Sequence, residues 1–451
     1  MIEGVFTPAH VLAGAIRRGE VSSVEVVGAY LAQIARHNPD LNAVVTLDEH
    51  GARMRAREAD EALASGEEWG SLHGLPITLE DAHPTSGMRS TWGGLPRLAD
   101  HVPEEDGTVA ARLKAAGAIL LGKTSGPEIW PDSVFASTNN PWDLAHTPGG
   151  SSAGVGAAIA AGLTSLDIGL DTLDSIQNPV HYCGVYGMRP TEHRVPMSGV
   201  FFLDPVRKFR VMSVAGPMAR SVEDLRLALR IIAGPDGLDT HVPPVPWRDL
   251  ERPKMADLSI AWSSEFPGSD TQDEIRTVMQ GVIGQLAEGG ATVEQSMPDV
   301  DLGRQFELGE ELFDLLGGTF PEEPTAFSEQ ASVASNEHDS LEAYLMAWDR
   351  RDDVMRAWEG FFADRDVLIM PAGTRTAERH REEPTEPSEE YPYALSALSG
   401  CPMVVIPAGV DNQGLPFGLQ IIGKRWDDEW LLDIAESVSK LTGGFRQPPG
   451  Y

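Results

Sequence analysis

Two cysteines in 451 residues, Cys183 and Cys401, leave no basis for a disulfide framework and fit a reducing compartment. No run of about 18 apolar residues occurs, so no membrane-spanning helix is expected. The opening stretch MIEGVFTPAHVLAGAIRRGE lacks a basic start followed by an apolar core, so no secretory signal is read there and the expected location is the cytoplasm. Basic residues are scarce: 35 Lys plus Arg against 68 Asp plus Glu give a formal charge of −33. That imbalance argues against nucleic acid or an anionic membrane as partner. It allows a cationic substrate, although a solvated acidic surface explains the same charge. No His-Glu-x-x-His motif, Cys/His cluster or phosphate-binding loop is found, so no metal or other cofactor is expected. The expected partner is a small molecule; a homodimer is left open.

What is present reads as strands alternating with helices. Residues 21–37, VSSVEVVGAYLAQIARH, predict an amphipathic helix with Val24, Val27, Leu31 and Ile34 on one face. Ser22 and Glu25 have capping-box spacing, and Asn38-Pro39 should stop the helix. LPITLED (75–81) and AILLG (118–122) predict strands around the helix GTVAARLKAAG, a βαβ-like unit. TSLDIGLD (164–171) predicts a buried strand. Strands DLSIAW, ATVEQSM, DVLIMPA, PMVVIPAG and LPFGLQIIG follow, with helices at DEIRTVMQGVIGQLAEGG and EWLLDIAESVSKL. The alternation predicts an α/β fold with a mixed, mostly parallel sheet. Residues 378–392 read as a polar, proline-punctuated loop.

Gly149-Gly150-Ser151-Ser152 predicts a tight turn into a small-residue helix, a place where backbone N–H groups favour negative charge. Beyond the next strand comes Ser175. These features, with EEDGTVAARLKAAGAILLGKTSGPE, NNPWDLAHTPGGSSAG, CGVYGMRPT, VAGPMARSVEDL and GCPMVVIPAGVDNQGLPFGLQIIG, resemble the amidase signature family in the family's own order. The resemblance implies one α/β domain over 1–451 with a large twisted mixed sheet flanked by helices on both sides. Its parts would be a helical portion at 1–66, a signature core at about 67–240, a variable substrate-side segment at about 241–375, and a C-terminal sheet and helix at 376–451. It also implies a Ser–cis-Ser–Lys triad. Ser151 matches the cis-serine that relays a proton, Ser175 the acyl-forming nucleophile, and Asp171 the aspartate opening the nucleophile loop. The N–H groups of Thr172, Leu173, Asp174 and Ser175 match the oxyanion hole. Trp130 and Asp132 fall in a segment that contributes to the family's substrate channel. Asp81, His83, Arg89 and Trp92 are weaker candidates for the pocket wall.

Three positions depart from the family. Its lysine is Glu80 here, its two glycines before the nucleophile are Leu173 and Asp174, and its arginine two residues after the nucleophile is Gln177. Lys123 matches a different block and is not expected to fill the vacancy. An unperturbed glutamate, with a pKa of about 4.3, is a weak base unless burial raises it. A carboxylate about 5 Å from a forming oxyanion costs on the order of 3 kcal/mol at an effective dielectric near 20. That is comparable with the ~2.7–4 kcal/mol one oxyanion-hole donor contributes.

Three readings follow. In one, Glu80 and Asp174 flank Ser151 and Ser175 and carry out carboxylate acid–base chemistry, such as elimination, isomerisation or cyclisation, on an amine-, amide- or imine-bearing substrate. In the second, Ser175 remains the nucleophile of an amide or ester hydrolase, with Glu80 as base through Ser151. The third is a binding protein that keeps the fold without catalysis. Glu80 is expected within hydrogen-bond reach of Ser151, directly or through one water.

Overall fold

The computed structural model describes residues 4–126, 133–200, 211–317, 341–380 and 391–451. The N-terminal part contains α1 (Ala9–Arg17), α2 (Ser23–Leu41), β1 (Val44–Leu47) and α3 (Glu49–Ala64). The Ser22–Glu25 capping box forms as predicted. Pro39 does not end α2, which continues to Leu41 and is closed by Asn42 in the left-handed conformation. The proline lies in the last turn, where few helical bonds remain to lose. Val24 is exposed rather than buried; Val26, Val27, Tyr30, Leu31 and Ile34 make the inner face.

The βαβ unit is β2 (Pro76–Glu80), α4 (Thr108–Ala115) and β3 (Ile119–Thr124). β2 and β3 run parallel, and β1 adds antiparallel to β3, giving a three-stranded sheet. Then come α5 (Ala153–Ala160), β4 (Leu166–Asp171), α6 (Gln177–Cys183), β5 (Tyr186–Arg189), β6 (Val214–Ala219) and α7 (Val222–Ile232). The later elements are β7 (Ser259–Trp262), α8 (Asp273–Glu288), β8 (Thr292–Gln295), α9 (Leu302–Gly317), α10 (Leu341–Phe361), β9 (Val367–Pro371), α11 (Tyr391–Ser399), β10 (Met403–Val410), β11 (Pro416–Gly423) and α12 (Asp428–Thr442).

Eight strands form a mixed sheet in the order β4-β6-β5-β10-β11-β9-β7-β8. The mostly parallel expectation is corrected. Among the described residues six strand pairs are antiparallel and three are parallel. Helix–strand alternation marks the elements, but a helix can return the chain to either sense of a sheet, and β10 and β11 are joined by a short turn.

Alternate residues of the central strands point to opposite faces. Val404, Ile406, Leu419 and Ile421 join a core that includes Leu432, Ile434 and Val438 of α12 and Met279 and Leu286 of α8. Val405, Met403 and Ile422 join a second core with Ile159, Val180 and Trp358, from α5, α6 and α10. Helices therefore cover both faces, which is why β9 and β11 are apolar without alternation.

The small sheet docks on β4, at the edge of the large one. Thr78 N–H donates to Thr164 Oγ1 at 2.9 Å, and Thr78 Oγ1 donates to Asp167 Oδ2 at 2.5 Å. This seam brings the end of β2 beside the end of β4.

Candidate active site

Glu80 is the last residue of β2 and has no solvent exposure. Its Oε2 accepts the Leu170 N–H at 3.0 Å and lies 2.6 Å from Ser152 Oγ. Ser152 Oγ is also 3.2 Å from the Leu170 carbonyl oxygen. The other carboxyl oxygen, Oε1, is buried without a hydrogen bond. A Cβ added at Gly126 would lie 3.1 Å from it, so a glycine there leaves the carboxyl its space. Burial drives the Glu80 pKa up to about 8; the bonds from Ser152 and Leu170 and the Lys123 charge oppose the rise, and the Asp167 charge adds to it.

The serine that meets Glu80 is thus Ser152, one residue beyond the expected Ser151. The Gly150–Ser151 peptide bond is cis, as the match to the family's cis-serine implies. Gly149, at φ +85°, must be glycine: a Cβ there would sit 2.2 Å from Asn178 Oδ1. Ser152 stands at the N-cap of α5, and its N–H donates to the Ser175 carbonyl at 3.2 Å. The serine turn and the 172–175 loop are therefore tied together through backbone.

The loop Thr172–Ser175 follows β4 and is partly exposed. Asp171 holds its two ends. Asp171 Oδ2 accepts the Ile176 N–H at 2.7 Å, and Arg189 of β5 donates to Asp171 Oδ1 and, at 3.0 Å, to its backbone carbonyl. Thr172 Oγ1 lies 2.9 Å from Ser213 Oγ. The Asp174 carbonyl accepts the Asn178 N–H at 2.8 Å. Among the described residues the non-glycine ones with positive φ are Asn42, Trp92, His193, Met212 and Trp426, so Leu173 and Asp174 stand in this loop without needing that conformation. Leu173 packs on an apolar cluster that includes Leu308, Leu312, Ala347 and Leu398, from α9, α10 and α11. Gln177 points elsewhere, its Nε2 donating to the Ala372 and Pro392 carbonyls at 2.8 and 3.0 Å.

A carboxylate of β4 whose charge reaches Glu80 is Asp167. Asp167 is buried, accepts from Thr78, from Thr124 at 2.9 Å and from the Ile168 N–H at 2.7 Å, and burial raises its pKa to about 6. Its signal was visible in the sequence: an acid at the centre of an apolar strand must be satisfied by something. Lys123 stays out of the vacancy. Its Nζ donates to the His83 carbonyl at 2.5 Å and to Thr85 Oγ1 at 3.0 Å. Burial lowers its pKa to about 8, opposed by Asp81, Asp167 and Glu80.

The weaker candidates turn out to support neighbouring loops. Asp81 accepts from Thr91 N–H, Thr91 Oγ1 and Gly93 N–H, folding the 90–94 turn. Arg89 donates to the Val45 carbonyl at 2.8 Å and to Thr46 Oγ1 at 3.2 Å. Trp92 is buried in the first core. His83 is buried, and burial followed by the Lys123 charge lowers its pKa to about 3, so it is neutral. Trp130 and Asp132 lie outside the described residues, as does most of the 378–392 loop. Among the described residues no group of three or more His, Cys, Asp or Glu side chains could hold a metal ion, and no helix is long and apolar enough to cross a membrane.

The chain belongs to the amidase family, whose profile matches residues 25–432. It is 33% identical over 478 residues to a glutamyl-tRNA(Gln) amidotransferase subunit from Roseiflexus sp. (strain RS-1), covering 96% of each chain. It is 32% identical to the corresponding subunit from Moorella thermoacetica, covering 99% of each. Among solved structures it resembles fatty acid amide hydrolase at a TM-score of 0.86 and 24% identity, covering 98% of this chain and 86% of that one, a likeness of fold. A protein of the complex described as revealing the evolutionary origins of an s-triazine catabolic enzyme matches at 0.84 and 26% identity, over 98% of this chain and 100% of that one. Membership supports amidase-type activity.

Proposed function

We propose that the protein cleaves an amide-type bond in a small molecule by acyl transfer to Ser175, with Glu80 as the acid–base group in the position of the family's lysine. The observation that carries this reading is the Glu80 carboxyl. It is fully buried, 2.6 Å from Ser152 in the paired-serine turn, with a pKa moved to about 8. A base that titrates near the working pH is what proton transfer requires, and burial here does to a glutamate what a lysine achieves from the other direction. Ser175 Oγ attacks the substrate carbonyl while its proton passes to the paired serines and on to ionised Glu80. The carbonyl π pair becomes the oxyanion, received by the N–H groups of the 172–175 loop. Collapse breaks the C–N bond, and the proton held at Glu80 returns to the leaving nitrogen. Water then releases the acyl group from Ser175 by the same steps in reverse.

Asp174 adds negative charge at this loop and would favour substrates carrying a cationic group. The formal charge of −33 favours a free small molecule over a polyanionic carrier. Membership of the amidase family favours this reading over elimination, isomerisation or cyclisation.

A fluorophosphonate probe, together with a panel of amine-bearing amides, tests the proposal. Mass spectrometry should find the adduct on Ser175, and Ser175→Ala should abolish both labelling and turnover. Turnover that survives Ser175→Ala would defeat the acyl-transfer reading, and a folded protein that neither labels nor turns over amides would favour a binding role.

A further inference from the structure

Met212 is buried and has φ +64°, a conformation an L-residue with a long side chain rarely keeps unless its surroundings impose it. Two charged side chains hold its peptide groups. Its N–H donates to Glu192 Oε1 at 2.9 Å, and its carbonyl accepts from Arg189. Arg189 is also the residue that holds Asp171. The next residue, Ser213, meets Thr172 of the nucleophile loop at 2.9 Å. Met212–Ser213 thus abuts the loop on two sides, through Arg189–Asp171 and through Thr172.

Glu192 has its own cation. Arg351 of α10 pairs with both of its carboxyl oxygens, and both side chains are about 2% exposed. The same guanidinium donates to the Leu398 carbonyl at 3.3 Å and the Ala397 carbonyl at 3.2 Å, at the C-terminal end of α11. Burial alone would raise the Glu192 carboxyl; the Arg351 charge and hydrogen bond bring it below its ordinary value, so the pair is ionised. A buried ion pair with its remaining valences satisfied by backbone fixes geometry more than it adds stability.

We propose that Glu192 and Arg351 are positioning residues for the reaction: anchored on α10 and α11, they fix Met212–Ser213 and so set the geometry of the Thr172–Ser175 loop. The region outside the signature core would then tune the nucleophile through a continuous buried polar connection: Arg351, Glu192, Met212, Arg189 and Asp171. This inference rests on the proposed role of Ser175, but its structural half can be read independently.

The test compares Arg351→Met, Arg351→Lys, Glu192→Ala and Glu192→Gln in the full chain, using hydrogen–deuterium exchange across 166–180 and the rate of fluorophosphonate labelling at Ser175. In Arg351→Met and Glu192→Ala, amides of the loop and Ile176 should exchange roughly tenfold faster while β10 and β11 keep their protection. Labelling should slow by about 10–100-fold, as expected when a nucleophile is slightly misplaced. Arg351→Lys should recover part of both effects. If the drastic variants do not fold, Arg351→Lys and Glu192→Gln must show smaller changes confined to the same segment. Loop protection that is unchanged in folded variants, or that falls equally everywhere, overturns the proposal. A wild-type protein that does not label at Ser175 would count against acyl transfer alone, and exchange would still decide the positioning role.

Discussion

Ser152 Oγ lies between the Glu80 carboxyl at 2.6 Å and the Leu170 carbonyl oxygen at 3.2 Å. A hydroxyl has one proton to give. Its bond to Glu80 favours the ionised carboxylate, and burial outweighs that bond to bring the pKa to about 8. At neutral pH the acid is mostly protonated, and the base needed for attack appears as pH rises. The kcat/KM for an amide substrate should therefore climb through neutrality and level off above about pH 8. Glu80→Gln should lose that dependence and about 10²–10⁴ of the rate. A flat wild-type pH–rate profile would remove Glu80 from the proton path.

The same group makes stability depend on pH. Between its ordinary value of 4.5 and the folded value of about 8, Glu80 keeps a proton in the folded state that the unfolded chain has lost. Its contribution is fully present below pH 4.5 and disappears as pH rises through 8. Asp167, raised from 3.8 to about 6, acts in the same direction at lower pH. Glu80→Gln mimics the protonated acid. Its Tm should lie close to wild type at pH 5 and exceed it at pH 8. Melting curves that shift in parallel across this range would contradict the buried, protonated state.

Restoring lysine alone should not restore an ordinary amidase. Glu80→Lys would place a second ammonium near Lys123, already deprived of solvent, and leave Leu173 and Asp174 in the loop. The triple change Glu80→Lys, Leu173→Gly, Asp174→Gly should cleave simple amides faster than the single change. Its Tm should be lower, because Leu173 gives up its packing on the cluster around Leu308 and Leu398. Equal rates in the single and triple variants would show that the loop replacements do not matter.

Arg189→Met should be costly in two measurements. Removing one member of a buried ion pair typically costs about 3–5 kcal/mol, readable in urea unfolding. Asp171 would also lose the cation opposite the carboxyl that holds Ile176, so Ser175 labelling should slow even where the protein remains folded. Wild-type labelling in folded Arg189→Met would exclude Arg189 from the nucleophile loop's support.

Much of this was legible in the linear chain. The apolar runs at 75–81, 164–171 and 402–423 became strands, and the Ser22–Glu25 spacing became a capping box because such signals are local. Strand direction was not, since parallel or antiparallel placement depends on which neighbour a returning chain finds. At the site, the position of Glu80 could be read from the family pattern, but its contact with Ser152 rather than Ser151 depends on how the turn and the seam of two sheets meet. The support given by Glu192 and Arg351 spans 159 residues of chain and leaves no motif at either end.

The placement of β10 and β11 at the middle of the large sheet also bears on synthesis. Every residue assigned to acyl transfer here lies between 80 and 175, yet the strands beside β5 and β9 come from 403–423. A chain growing from its N-terminus completes its chemical groups long before it can close the sheet that supports them. Its early segments must wait on the ribosome with an unpaired β5 edge, a state open to chaperones and to misassociation. Completion of the fold is then a late event, set by the arrival of the last two strands.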